Sequence, residues 1–328
     1  MVIPDDRVAE ALGPDHAHPA LSHPGRCSTP LATTPARRVD ELLEQAARFR
    51  LSGKTRLLQR LEDSHGFEEA LWQSIARALG YGPNKLAMHL LAQRIPRRVL
   101  RSVRTHRTRE AILFGAAGFL APDLHRKAPA DSRHYLESLW HDWWRVRPRF
   151  EAAPSRVLNW QMHGTRPTNH PQRRLGALAS LSVQWSRITA PAQRPSLGRM
   201  QRLAERLESL EHDFWSSHYT LHSKASRTPT NLVGSARTNE FLANYYIPSW
   251  SRSAPEEAWA AYRELPAGPA SDPVRRAITR LFGNRRDHRG FHSRLWQQQA
   301  LLQIYRDFCL EDSSDCEDCP FPEQLRDW

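Results

Sequence analysis

Cys27 near one end of the chain and Cys309, Cys316 and Cys319 near the other are its only cysteines, and together they number four. Four thiolates complete a tetrahedral shell for zinc, and an iron–sulfur cluster takes the same number. Joining Cys27 to the other three would staple the chain closed. Cys316 and Cys319 form a Cys-x-x-Cys pair, half of such a set. The neighbouring Glu311, Asp312, Asp315, Glu317 and Asp318 oppose gathered thiolates, because negative charge raises the cost of each further ionisation.

Arginine supplies the next chemistry. Arg94, Arg97, Arg98, Arg101, Arg104, Arg107 and Arg109 make a basic tract in which Arg97, Arg101 and Arg104 share one face of a continuous helix. A guanidinium presents a planar fork of donors to phosphate oxygens, so the stripe fits a nucleic-acid backbone; a solvated charged face fits it equally. A second anion corner lies in Arg166-Pro167-Thr168-Asn169-His170-Pro171, followed by Arg173 and Arg174. Pro171 suits the first helical position, with Asn169 or His170 near the cap and the three arginines beside the helix N-terminus. The structural alternative is that these groups satisfy buried backbone at a loop. His218 and Tyr219 could act as acid and base, but no nucleophile or carboxylate stands at a diagnostic spacing, so a satisfied interior histidine is the plainer reading. An enzyme built around His163, His170 and His218 is for that reason the weakest of the functional readings.

These side chains must be held by helices. Val39, Leu42, Leu43, Ala46 and Phe49 recur at three- and four-residue steps, and Phe67, Leu71, Ile75 and Ala78 predict a helix over 65–79 that Gly80 stops. Another follows Gly82-Pro83, turns Leu86, Leu90 and Leu91 inward and ends before Pro96. Tyr135 to Trp144, Leu175 to Val183, Met200 to Phe214, Phe241 to Tyr246, Ala258 to Leu265, Val274 to Leu281 and Phe291 to Phe308 continue the pattern. No sustained alternation predicts a strand, and no fixed repeat predicts a solenoid. The fold class is all-α: about ten helices in an irregular bundle or stacked pairs. Residues 1–36, broken by Pro4, Pro14, Pro19, Pro24, Pro30 and Pro35, read as an irregular Pro/His-rich arm. His16 and His18 there form a His-x-His pair that could bind a metal, though a polar arm explains them as well. Residues 37–328 form the helical domain, with two packed halves meeting within 188–230.

Composition bounds the partners. At 328 residues the chain can bury a real core, and 47 Lys and Arg against 35 Asp and Glu give +12, a balance that favours polyanions. The most apolar run, Ala111 to Ala121, is about half the ~20 residues a membrane span needs, so it predicts a core segment. The start of the sequence has no secretion signal, which predicts a reducing, cytoplasmic setting where thiols are core residues or ligands.

Several motifs together resemble the bacterial family catalogued as domain of unknown function 2851. They are Ala78-Leu79-Gly80-Tyr81-Gly82-Pro83-Asn84-Lys85, Phe114-Gly115-Ala116-Ala117-Gly118-Phe119-Leu120, Arg166 to Leu175, and Phe214 to Tyr219. Asn239 to Pro248 and Gln297 to Tyr305 extend the match. Asn84, Lys85, Asn169, His170, His218 and Tyr219 are its polar candidates. Typical members carry an additional nuclease-like N-terminal region, which the resemblance implies is absent here and is encoded separately as a partner. Certain DNA-processing nucleases are also similar in placing one early and three late cysteines around an iron–sulfur cluster, although their spacing differs. The expectation is a basic helical module that associates with nucleic acid through Arg97, Arg101, Arg104, Arg166, Arg173 and Arg174 and is not an enzyme on its own. Its alternative is a scaffold whose basic face meets an acidic protein.

Overall fold

Proline and glycine punctuate the chain where helix geometry requires it. The computed structural model describes residues 23–121, 124, 128–150, 157–283, 285, 287–310 and 316–327. Its helices are α1 (Ser28–Thr33), α2 (Ala36–His65), α3 (Phe67–Leu79), α4 (Lys85–Arg94), α5 (Arg97–Arg101), α6 (His106–Ala116) and α7 (Ala130–Val146). Next come α8 (Pro171–Val183), α9 (Trp185–Gln193), α10 (Leu197–Glu208) and α11 (Ser235–Phe241), the last running through a π turn at Leu242–Tyr246 into Ile247–Trp250. The series ends with α12 (Pro255–Glu264), α13 (Asp272–Phe282), α14 (Leu295–Tyr305) and α15 (Phe321–Asp327). The all-α expectation holds: the described residues contain no strand, and the helices somewhat exceed ten.

Two compact units result, Met1–Leu51 with Arg263–Trp328, and Ser52–Tyr262. The division does not fall within 188–230, because the N-terminal segment packs with the C-terminal one. Most of the 1–36 arm lies outside the described residues, but Ser28–Thr33 within it is helical. In the terminal unit Leu31, Val39, Leu43, Leu281, Phe282, Leu301 and Ile304 are buried.

In the central unit, Trp72 on α3 meets the Trp185 ring edge-on at 5.7 Å and donates its indole N–H to the Ile95 carbonyl. The predicted core run is confirmed, with Ile112, Leu113 and Phe114 of α6 buried and the Phe114 ring stacked on Trp215 at 5.2 Å. Leu86 and Leu90, expected inward, remain exposed, while Ala87, Met88 and Leu91 fill the core. The helix expected to reach Phe214 stops at Glu208, and Leu210 and Phe214 are buried from irregular chain instead. Among the described residues no helix is long and apolar enough to cross a membrane.

Two helical glycines make room for tryptophan. A Cβ on Gly115 would stand 2.1 Å from the Trp143 ring, and one on Gly176 2.3 Å from Trp215. Trp215 is fully buried and cannot retreat. Gly176→Ala should therefore cost about 1–3 kcal/mol in urea or thermal unfolding through overpacking. Gly198→Ala, whose new methyl would meet only the tip of Arg202 at 3.7 Å, should instead stabilise α10 by up to about 1 kcal/mol. Equal melting curves for the two variants would refute this packing account.

Candidate metal centre

Within the terminal unit the structure brings Cys27, Cys309, Cys316 and Cys319 together. Cys27 stands just before α1 in a turn packed on the end of α13, where Gly25 donates its N–H to the Arg280 carbonyl at 2.9 Å. A side chain on Gly25 would crowd both that carbonyl and the Cys27 sulfur at 3.3 Å. Gly283 closes α13 with φ +52, and a Cβ there would press on Pro24 at 3.2 Å. Two glycines thus let the Cys27 turn approach closely. Cys309 lies in a π turn, Arg306–Leu310, that extends α14; such turns rotate side chains off the helical register and recur at functional sites. Cys316 and Cys319 follow on the approach to α15, whose Phe321 stacks on Phe308 at 4.4 Å.

The sulfurs share one electrostatic environment. Burial, and then the charges of Cys309, Cys316 and Cys319, push the Cys27 thiol up to about 12, against a lesser opposing effect of Arg280. Burial also raises Cys309, again opposed by Arg280. The Arg280 guanidinium hydrogen-bonds the sulfurs of both Cys309 and Cys316, while the Arg26 backbone N–H donates to Cys316 Sγ at 3.4 Å. Glu317 and Asp318 are exposed, and Glu311, Asp312 and Asp315 lie outside the described residues. The opposition expected from acidic neighbours therefore meets a buried cation at the sulfurs.

The six candidate phosphate-binding arginines do not converge. Arg97 is 5% exposed, with its guanidinium 5.2 Å from the Trp185 ring and its backbone N–H donated to Glu69. Arg173, 1% exposed, donates to the carbonyls of Trp215 and Thr230, and Arg174 donates to the Leu232 carbonyl and to Asn169 Oδ1. These three guanidiniums are structural, so the phosphate role assigned to them is corrected. The shared helix face is corrected too: α5 ends at Arg101, and Thr105 caps a new helix by accepting the Thr108 N–H. Arg101, Arg104 and Arg166 are exposed, as is Arg98, whose backbone N–H goes to Glu69, and among the described residues no carboxylate pairs with their guanidiniums.

Among the other polar candidates, Asn84, His170 and His218 hold backbone. Asn84 exchanges two hydrogen bonds with the Gln161 peptide, at 2.8 and 2.9 Å, and Lys85 is half-buried at the start of α4. Pro171 opens α8 as expected, with His170 as the cap accepting the Gln172 N–H. Asn169 is half-buried beside it. His218 is buried against the Phe214 ring and carbonyl, with Nε2 3.6 Å from Asp131, and Tyr219 lies half-buried near Arg173.

Sequence reasoning missed a second cluster. His106, Glu110 and His212 bring three potential ligand atoms within 4.8 Å of one another. The helical spacing of His106 and Glu110 was its only signal, since His212 comes from irregular chain. His212 Nδ1 accepts the backbone N–H groups of Phe214 and Trp215, so its proton sits on Nε2, facing Glu110 at 3.5 Å. Tyr135 and the Trp215 indole donate to the same carboxylate. Burial works to raise Glu110, but these bonds and the two histidines outweigh it and hold the carboxyl below its usual range. With its lone pair spent on the backbone, His212 is a donor here rather than a ligand.

An aromatic cleft of about 220 Å³ opens between α6 and α7, lined by Gly115, Gly118, Trp140, Trp143, Trp144 and Arg147 among others. Trp144 is 53% exposed, stacks on Trp140 at 5.2 Å, and has the Arg147 guanidinium 5.2 Å from its ring.

Fold and site define an all-α protein with two compact units and a convergent four-cysteine cluster. Residues 19–264 match the family described as Protein of unknown function (DUF2851), and the chain belongs to that family. The match includes Cys27 and ends before the other three cysteines. No curated protein and no solved structure matches the chain.

His170 provides a pH test of the capping geometry. Burial first, and His163 second, lower it from 6.5 to about 4. Between those values the unfolded chain takes a proton that the folded one refuses, so the stability present above pH 6.5 is lost as pH falls towards 4. His170→Asn keeps a capping acceptor and removes the titration. Urea midpoints at pH 7 and pH 5 should converge in this variant, and an unchanged pH dependence would reject the assignment.

Proposed function

We propose that the chain is a helical, nucleic-acid-associated module whose terminal unit is held together by a metal centre at Cys27, Cys309, Cys316 and Cys319. One observation carries the reading: all four thiols of the chain, drawn from its two ends, meet beside one buried arginine. Four thiolates around a cation exchange mutual repulsion for attraction, and the binding free energy becomes folding free energy, of order 10 kcal/mol for structural zinc. The N–H donated to Cys316 is the kind of outer bond that orients a thiolate ligand.

The test is metal analysis of the purified chain with a thermal melt. Bound transition metal should be present, and Cys309→Ser with Cys319→Ser should lose both the metal and much of the terminal unit's stability. Metal-free protein that melts where the double variant melts would overturn the proposal.

Association with nucleic acid is supported by the exposed Arg98, Arg101 and Arg104 together with the cleft at Trp144. A base stacked on an exposed indole contributes about 1–3 kcal/mol, and arginine beside the ring suits its phosphate. A labelled single-stranded oligonucleotide should bind at low salt and dissociate steeply as salt rises, with log K falling by about 0.7 per phosphate contact per log unit of salt. Trp144→Ala should weaken binding about tenfold or more. Arg101→Ala with Arg104→Ala should flatten the salt slope, whereas absence of binding at low salt would remove this part of the reading.

A further inference from the structure

The spacing of the four sulfurs bears on what they hold, an inference that rests on the metal-centre reading above. Zinc draws thiolates to about 2.3 Å, which places the sulfurs of its tetrahedron roughly 3.8 Å apart. Among the described residues, His106, Glu110 and His212 are the one set of three potential ligand atoms lying within 4.8 Å of one another. All four cysteines are described, so no three of their sulfurs approach as closely as a single zinc ion requires. Yet they are near enough for Cys309, Cys316 and Cys319 all to act on Cys27. A group larger than one ion fits that spacing.

We propose that Cys27, Cys309, Cys316 and Cys319 ligate an iron–sulfur cluster. In a cubane, irons and sulfides stand between all four thiolates; in a two-iron cluster the thiolates fall into two pairs. Neither brings three cysteine sulfurs close together. The surroundings agree with the assignment. A four-thiolate cluster carries net negative charge, and its potential depends on hydrogen bonds to sulfur and on burial. Arg280, 7% exposed, supplies a cation that hydrogen-bonds Cys309 and Cys316, and the Arg26 N–H reaches Cys316 at 3.4 Å. Cys27 and Cys319 are buried, which limits access of water and oxygen.

The experiment uses the full chain, expressed with supplemental iron and purified without oxygen. Iron and acid-labile sulfide should appear in equal amounts, with a broad visible absorption that dithionite bleaches. Cys27→Ser and Cys319→Ser should lose the colour. If those variants fail to fold, the iron and sulfide content of the unaltered chain still decides. Arg280→Gln should move the reduction potential downward, since it removes a positive charge beside the sulfurs; a packing role alone would leave the potential in place. One zinc per chain without sulfide would overturn the cluster and leave the metal-centre reading standing. No metal at all, with an unchanged melt, would overturn both.

Discussion

Buried carbonyl groups in loops and at helix ends must find donors, and in this protein arginine reaches many of them. The long irregular stretch between α10 and α11 bonds partly to itself, as at Ser226 to Ser217 and Leu232 to Leu210, and Arg173 and Arg174 reach from α8 to the carbonyls of Trp215, Thr230 and Leu232 that remain. Arg94 does the same for Ala116, and Arg109 for Val103 and Ser182. In the terminal unit Arg280 reaches the His23 carbonyl, and Arg285 those of Leu31 and Thr34. An unpaired buried carbonyl forfeits a hydrogen bond that water would have supplied, so these contacts decide whether the loops can pack at all. Guanidinium suits the task because its five donors and long stem span gaps that a lysine, with its strongly hydrated point charge, would fill at greater desolvation cost.

The same constraint redistributes the chain's charge. Part of the positive charge is not displayed at the surface, because among the described residues Arg97, Arg173, Arg174, Arg237 and Arg280 are buried. Burial lowers Arg173 and Arg174, the latter to about 10, still well above physiological pH. What remains for a polyanion is narrower than the sequence suggests: the exposed arginines of α5 and the chain after it, Arg166, and the margin of the Trp144 cleft. Arg280 joins the two themes. Its backbone carbonyl accepts from Gly25 and its side chain meets two sulfurs, so one residue fixes the Cys27 turn and sets a positive charge beside the thiol cluster.

Helices were legible in the sequence because their signals are local. Pro171 at the first position of α8, Gly82-Pro83 before α4 and the apolar spacing on α3 depend only on neighbouring residues. The thiol cluster was legible for a different reason: four cysteines are a complete ligand set wherever they fall in the chain. The arginines were not legible, since spacing alone cannot distinguish a guanidinium facing phosphate from one facing a carbonyl. The break after Arg101 was missed because Thr105 caps α6 from within an otherwise continuous basic tract. The π turn that carries Cys309 adds one residue to a helical register, a change no periodicity announces.

The two polar clusters differ in where their lone pairs are committed. At His106, Glu110 and His212 the donor atoms are close, but the His212 lone pair accepts two backbone N–H groups and the Glu110 oxygen accepts from Tyr135 and Trp215. A metal entering there would have to displace bonds already made, several of them inside a stacked aromatic core. At the cysteines the sulfurs receive donors from Arg26 and Arg280, bonds that a ligated sulfur retains, because thiolate keeps lone pairs beyond the one given to a metal. Proximity of ligand types therefore ranks the clusters in one order, and availability of their electrons ranks them in the other. The second ranking governs coordination, and it favours the wider set of sulfurs over the tighter set of nitrogens and oxygen.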